Sequence, residues 1–121
     1  MKRLCIALIA ILLVGCSFQN RYEKQADRVT HAIMNNSLSQ LQDDVEKGVK
    51  VSRVQVAQWS DELNDQGKLI SIKETTANCD PGWHCFNVKF DKHDYVEQMR
   101  LDENGKVVQW RYHMASPGGA Q

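Results

Sequence analysis

Residues 84–114 read "HCFNVKFDKHDYVEQMRLDENGKVVQWRYHM". Their apolar residues recur at every second position, the period of a strand that buries one face. Phe86, Val88 and Phe90 alternate with Asn87, Lys89 and Asp91. Tyr95, Met99 and Leu101 form the inward set of the next run. Val108, Trp110, Tyr112 and Met114 form that of the last, with Gln109, Arg111 and His113 facing the other way. Lys92-His93-Asp94 separates the first two runs, and "DENGK" at 102–106 contains Asn104-Gly105, a strong two-residue hairpin signal. Upstream, "LISIKETTA" from Leu69 reads as one more strand, with Ile70 and Ile72 on one face. Four strands in consecutive antiparallel hairpins follow.

Before Leu69 the period is helical. Tyr22, Ala26, Val29 and Ile33 step by three or four, and "NNS" at 35–37 ends that helix. Ser37 or Ser39 then caps a short second helix marked by Leu38, Leu41 and Val45 and ended by Gly48. Ser52 caps a third, with Val54, Ala57, Trp59 and Leu63 near one side and Gly67 at its C′ position. Three helices followed by four antiparallel strands, each with one apolar face, predict an α+β domain. The helices should cover the apolar face of the sheet and leave the other face wet. The expected bounds are 22–114, with 115–121 ("SPGGAQ" after Ala115) a disordered tail, and no internal repeat is visible.

The chain opens "MKRLCIALIAILLVGCS". Lys2 and Arg3 precede an apolar run from Leu4 to Val14, about 11 residues, the length of a signal peptide and short of the roughly 20 needed to span a bilayer. Leu13-Val14-Gly15-Cys16 resembles the lipobox of bacterial lipoproteins. That resemblance implies a signal peptide over 1–15, cleavage between Gly15 and Cys16, acyl chains on Cys16, and a tether over 16–21. Each buried CH₂ contributes about 0.8 kcal/mol, so two or three chains hold a protein to the membrane almost permanently. Ser17, where an aspartate favours inner-membrane retention, resembles the outer-membrane pattern if the envelope is Gram-negative. The expected location is the cell envelope, with the domain facing the periplasm or exterior.

Loss of Lys2 and Arg3 from 15 basic and 15 acidic residues leaves 13 against 15. No basic bias remains to recommend nucleic acid as a partner. About 105 residues follow Cys16, enough for one small domain with one modest core. Cys5 leaves with the signal and Cys16 is taken by lipid, so Cys79 and Cys85 of "CDPGWHC" remain in an oxidising space. Five residues between them, with a Pro81-Gly82 turn between two strands, do not match the two-residue spacing of a redox pair at a helix start. A hairpin disulfide is the better reading, and a zinc site would need two more ligands.

The order of elements looks like the small nuclear transport factor 2-like (cystatin-like) domains of bacterial envelope proteins. The residues that carry the resemblance are the break at "NNSLSQL", the run "DELNDQGKLISI", and the final hairpin "EQMRLDENGKVVQWRY". The resemblance implies a bent sheet wrapped on helices as a cone, sometimes open and ligand-binding, and no single function.

Alternation places Glu97 with Tyr95 and Met99, and Glu74 with Ile70 and Ile72. Glu97 with Tyr112 is the candidate pocket if the cone is open. The competing expectation is that both carboxylates lie at a rim and stay solvated. His31, His84, His93 and His113 read as solvated, since His84 and His93 lie at opposite ends of one strand. Trp110 and Tyr112 read as core, and Trp59 as the contact of the third helix on the sheet. Trp83 and His84 form a candidate contact loop, though a loop tryptophan more often packs back onto its own domain. No catalytic residue, metal or cofactor is expected. The reading is a lipid-anchored envelope protein with a non-catalytic binding or structural domain and an envelope protein partner. The alternatives are an inhibitor or immunity lipoprotein against a hydrolase or toxin, and a small-molecule or enzymatic cone.

Overall fold

The computed structural model describes residues 19–115. Gly15, Cys16, Ser17, the signal segment and the tail from 116 onward lie outside the described residues. Three helices, α1 (Arg21–Met34), α2 (Leu38–Gln42) and α3 (Arg53–Asn64), precede four strands, β1 (Leu69–Thr75), β2 (His84–Phe90), β3 (Asp94–Leu101) and β4 (Val107–Met114). The strands form one open antiparallel sheet in the order β1-β2-β3-β4. The domain is therefore α+β, as the change of period predicts. Among the described residues no helix is long and apolar enough to cross a membrane.

Each helix start has a local cause. The Asn20 side chain accepts from Glu23 N at 2.8 Å while Glu23 Oε1 accepts from Asn20 N at 3.0 Å, a reciprocal capping box. Ser37 accepts from Gln40 N and Ser52 from Gln55 N, capping α2 and α3. The third helix ends at Asn64 with Asp65 as its C-cap, and Gly67 follows with φ +88, one position later than the expected C′ site. The second helix is shorter than its apolar spacing suggested. Val45 has left it and forms a parallel bridge with Val107.

Helix α1 packs on α3 and on β1 and β2. Ala26, Val29 and Ile33 are fully buried against Phe86, Val88, Tyr95 and Met99, which are likewise inaccessible to water. Small residues at 26 and 32 let the helix lie close to the sheet.

Two β-bulges redirect side chains that simple alternation misplaces. On β1, Leu69 pairs with Phe90 and Ser71 with Lys89, which leaves Ile70 as the extra residue. Ile70 is consequently 54% exposed, while Ile72 is buried and Leu69 packs on the core. On β4, Leu101 pairs with Val107 and Arg100 with Gln109. Val108 is therefore the extra residue, and Val107 takes the fully buried position expected of it. Met114, expected inward, lies at the sheet end and is 46% exposed. On α3 the buried stripe is Val56, Ser60 and Leu63, with Trp59 beside it, whereas Val54 is 68% exposed. Val54 and Val56 sit two positions apart and cannot share one helical face, and the first turn of α3 turns Val56 inward.

The outer face of the sheet is not uniformly wet. Cys85, Val96 and Gln98 are buried on it, Cys85 bonded to Cys79 of the adjoining loop and Gln98 beneath Arg111.

These positions separate two outcomes in urea denaturation. Phe86→Ala should cost about 3–5 kcal/mol, the range for an aromatic removed from a closed core. Val54→Ala should stay within about 0.5 kcal/mol. A large loss at Val54 would mean that α3 presents its other side to the sheet.

Candidate functional site

The loop "CDPGWHC" is closed by a pair of cysteines at disulfide-bonding distance, Cys79 and Cys85, with Cα atoms 5.8 Å apart. Gly82 has φ +85, a left-handed conformation that glycine adopts without a Cβ penalty. Trp83 N donates to Asp80 O at 3.1 Å, closing the turn. The two residues read as a contact loop then diverge, because successive side chains of a strand face opposite ways.

His84 turns inward. Its ring stacks on Tyr22 with centroids 4.2 Å apart, and its Nδ1 lies 3.4 Å from Glu74 Oε2. Trp83 stays on the outer side, half-buried. The Arg111 guanidinium lies over its ring at 4.3 Å, with that of Arg100 at 5.7 Å. Arg111 Nε also donates to Gln98 Oε1, and Arg100 donates to Gln109 at 2.7 Å. The indole, two guanidinium groups and two amides thus form a cross-strand ladder on the outer face.

This ladder borders a cleft of about 330 Å³, at the lower end of small-ligand sites. The cleft separates the start of α3 from β4. All three tryptophans of the chain, Trp59, Trp83 and Trp110, line it. Lys50 and Arg111 supply charge, and Ser52, Gln55 and Gln109 supply neutral polar groups. Among the described residues no carboxylate lines the cleft. Trp59 and Trp110 meet at 5.7 Å with a 55° tilt, and Trp59 meets Tyr112 edge-on at 5.5 Å. The third helix therefore rests on the sheet through Trp59, as expected, Trp110 and Tyr112 pack on the core, and Trp110 also forms part of the cleft wall. Trp110 Nε1 is a buried donor with no hydrogen-bond partner among the described residues.

No family model, curated protein or solved structure matches this chain.

Glu97 and Tyr112 are brought together, but not at a solvated rim. Glu97 is 0% exposed, so the expectation of a solvated carboxylate fails for it. Cross-strand pairing sets it between Phe86 and Tyr112. Its Oε1 accepts from Thr30 Oγ1 at 2.9 Å, its Oε2 accepts from the Tyr112 hydroxyl at 3.1 Å, and those two hydroxyls are 3.0 Å apart. Thr30, on the buried side of α1, is the member that strand alternation could not supply. Three contacts among three oxygen-bearing groups need three hydrogens. A neutral carboxyl provides the third, its O–H donating to one hydroxyl, which donates in turn to the other, while a carboxylate accepts from both hydroxyls and leaves the contact between them without a proton. Burial, the largest influence, pushes the Glu97 carboxyl up to about 8 against the lowering effect of the two hydroxyl bonds. Burial also raises the Tyr112 hydroxyl well above its ordinary value.

Glu74 remains half-buried at the end of β1, where it accepts from Asn20 Nδ2 at 2.9 Å. His93 Nδ1 lies 2.7 Å from Gln66 Oε1, and His31 and His113 are exposed. Among the described residues no group of three or more histidine, cysteine or carboxylate side chains is placed to hold a metal.

The raised Glu97 has a definite pH signature. Between its unfolded value near 4.5 and its folded value of about 8, the native state holds a proton that the unfolded chain has lost. Its stabilising contribution is complete below the lower value and declines as pH rises to about 8, by at most roughly 1.4 kcal/mol per pH unit. Glu97→Gln cannot titrate. Urea melts from pH 5 to 8 should show the variant gaining stability relative to the parent as pH rises, and parallel curves would mean that Glu97 is ionised throughout.

Proposed function

We propose that this chain is a lipid-anchored cell-envelope protein whose small domain binds a partner at the tryptophan cleft. The observation that carries the binding half is the composition of that cleft. Three tryptophans and two cations converge where, among the described residues, no carboxylate intervenes, beside a loop held by a staple. Tryptophan and arginine are the side chains that most often dominate a contact surface. The membrane half rests on the n-region, the apolar run and Leu13-Val14-Gly15-Cys16, with an outer-membrane address favoured by Ser17 in a Gram-negative envelope. The nuclear transport factor 2-like (cystatin-like) likeness rests on the order of helices and strands and on the final hairpin.

A second reading, an inhibitor or immunity lipoprotein against a hydrolase or toxin, draws on the staple. A loop whose indole is already clamped by Arg111 loses little freedom on entering another protein's cleft. An enzymatic cone at Glu97 and Tyr112 draws on less, since Glu97 presents no surface to solvent and Phe86 and Met99 fill the layer around it.

Two measurements test the proposal. The intact mass of the mature protein should show a chain starting at Cys16, carrying acyl groups and lacking two hydrogens at Cys79 and Cys85. A photo-crosslinker at the exposed Gln109 should capture a discrete envelope protein in cells. Trp83→Ala should cut that capture at least about tenfold, the loss expected of an interface anchor. A mass without lipid would sink the anchor. Capture unchanged by Trp83→Ala would sink the site.

A further inference from the structure

The cleft lies where two segments that begin side by side part. Val107 N donates to Asp44 O at 2.8 Å, and Glu46 N donates to Val107 O at 2.9 Å, which makes the parallel bridge between Val45 and Val107. Arg28 grips Asp44 through two bonds, of 2.8 and 3.1 Å, and fixes that start. The pairing then stops. A turn closed by Val49 N donating to Glu46 O at 3.1 Å carries the chain away toward Ser52. The final strand of the sheet, β4, runs on with β3 on one side. Among the described residues no strand covers its other side beyond Val107. A sheet edge presents a row of N–H and C=O groups, and adding a strand to such an edge is a recurring way to bind an extended segment.

The side chains around this edge state what kind of segment fits. Lys50 stands on one wall and Arg111 on the other. Among the described residues neither has a carboxylate within ion-pair distance. Arg111 is already oriented by the Trp83 ring and Gln98, and its terminal nitrogens remain donors that suit a carboxylate. Trp59 and Trp110 offer apolar wall for an alternating side chain.

We propose that the free edge of β4 takes an extended acidic segment of a partner protein by strand addition, its carboxylates held by Lys50 and Arg111 and an apolar side chain set against Trp59 and Trp110. This rests on the partner-binding reading of the same cleft and names the partner's chemistry. A glycan fits less well, because the face of Trp83 on which a sugar would stack carries the Arg111 guanidinium.

The test uses the mature lipoprotein in detergent and a fluorescein-labelled peptide of sequence Thr-Glu-Val-Glu-Thr-Glu. Saturable binding is expected. It should weaken at least tenfold for Lys50→Gln combined with Arg111→Gln, both exposed positions, and be absent for Thr-Lys-Val-Lys-Thr-Lys. Methylating one alternate set of peptide nitrogens should also weaken it at least tenfold, while methylating the other set should not. Equal binding by both methylated forms would overturn strand addition. Binding of a chito-oligosaccharide or of anionic vesicles in place of the acidic peptide would overturn the assignment of the ligand. If no peptide binds while the crosslinker at Gln109 still captures a protein, the acidic strand is wrong and the partner-binding reading survives. If neither is seen, both fall.

Discussion

Everything in this domain depends on the dry layer between α1 and the inner face of the sheet. Phe86, Val88, Tyr95 and Met99 form that face, and Ala26, Val29 and Ile33 close it. With roughly a hundred residues available the core is small, and each buried side chain carries a large share of a net stability of about ten kilocalories per mole or fewer in domains of this size. A carboxyl group in that layer is therefore a constraint on the whole fold. Glu97 is tolerable there because α1 contributes Thr30 and β4 contributes Tyr112, and because a neutral carboxyl completes the three contacts. The triangle ties the first helix to the last two strands. An apolar residue of similar size at 97 would leave the two hydroxyls only each other, with one hydrogen unpaired in the layer.

The same layer sets the geometry of the cleft. Because β4 is bulged at Val108, Val107 faces the core and Gln109 and Arg111 face out. The buried Val107 also holds the segment at Asp44–Glu46 against the sheet. That bridge fixes where the chain departs, and hence where β4 is left uncovered. A sheet without the bulge would move every β4 side chain by one position and bring Gln109 and Arg111 to the inner face.

Period and turn chemistry make much of this fold legible in the sequence. The alternation around Phe86–Phe90, the Asn104-Gly105 turn and the caps at Ser37 and Ser52 give the elements and their order. A bulge leaves no such trace. Val107 and Val108 are both apolar, as are Leu69 and Ile70, and either member of each pair satisfies a strand pattern. Val54 and Val56 pose the same ambiguity on α3. The site is less legible still. Trp83 stands out as an aromatic beside a staple, and its parity with Cys85 puts it on the outer face with Arg111. Its arginine partners come from other strands, however, and Lys50 and Gln55 come from a segment that long-range contacts place, among them the Val45–Val107 bridge and the packing of Trp59 on the sheet. Glu97 was legible as inward and illegible as enclosed, because Thr30 reaches it from α1, 67 residues earlier in the chain.

The staple has a wider role than tying two strands together. Cys79–Cys85 fixes the loop, the loop fixes Trp83, and the indole together with Gln98 fixes the Arg111 guanidinium at the cleft. On the other side of the same loop His84 stacks on Tyr22, and Glu74, within reach of His84, accepts from Asn20. The described chain therefore enters the domain beside the base of the staple. On the lipid-anchored reading, only three residues separate Cys16 from Asn20, about 14 Å at full extension. The stapled end would then stand close to the headgroups, and the free edge of β4 would run away from the membrane. An extended partner segment lying along that edge would then point away from the bilayer, with one end near the headgroups.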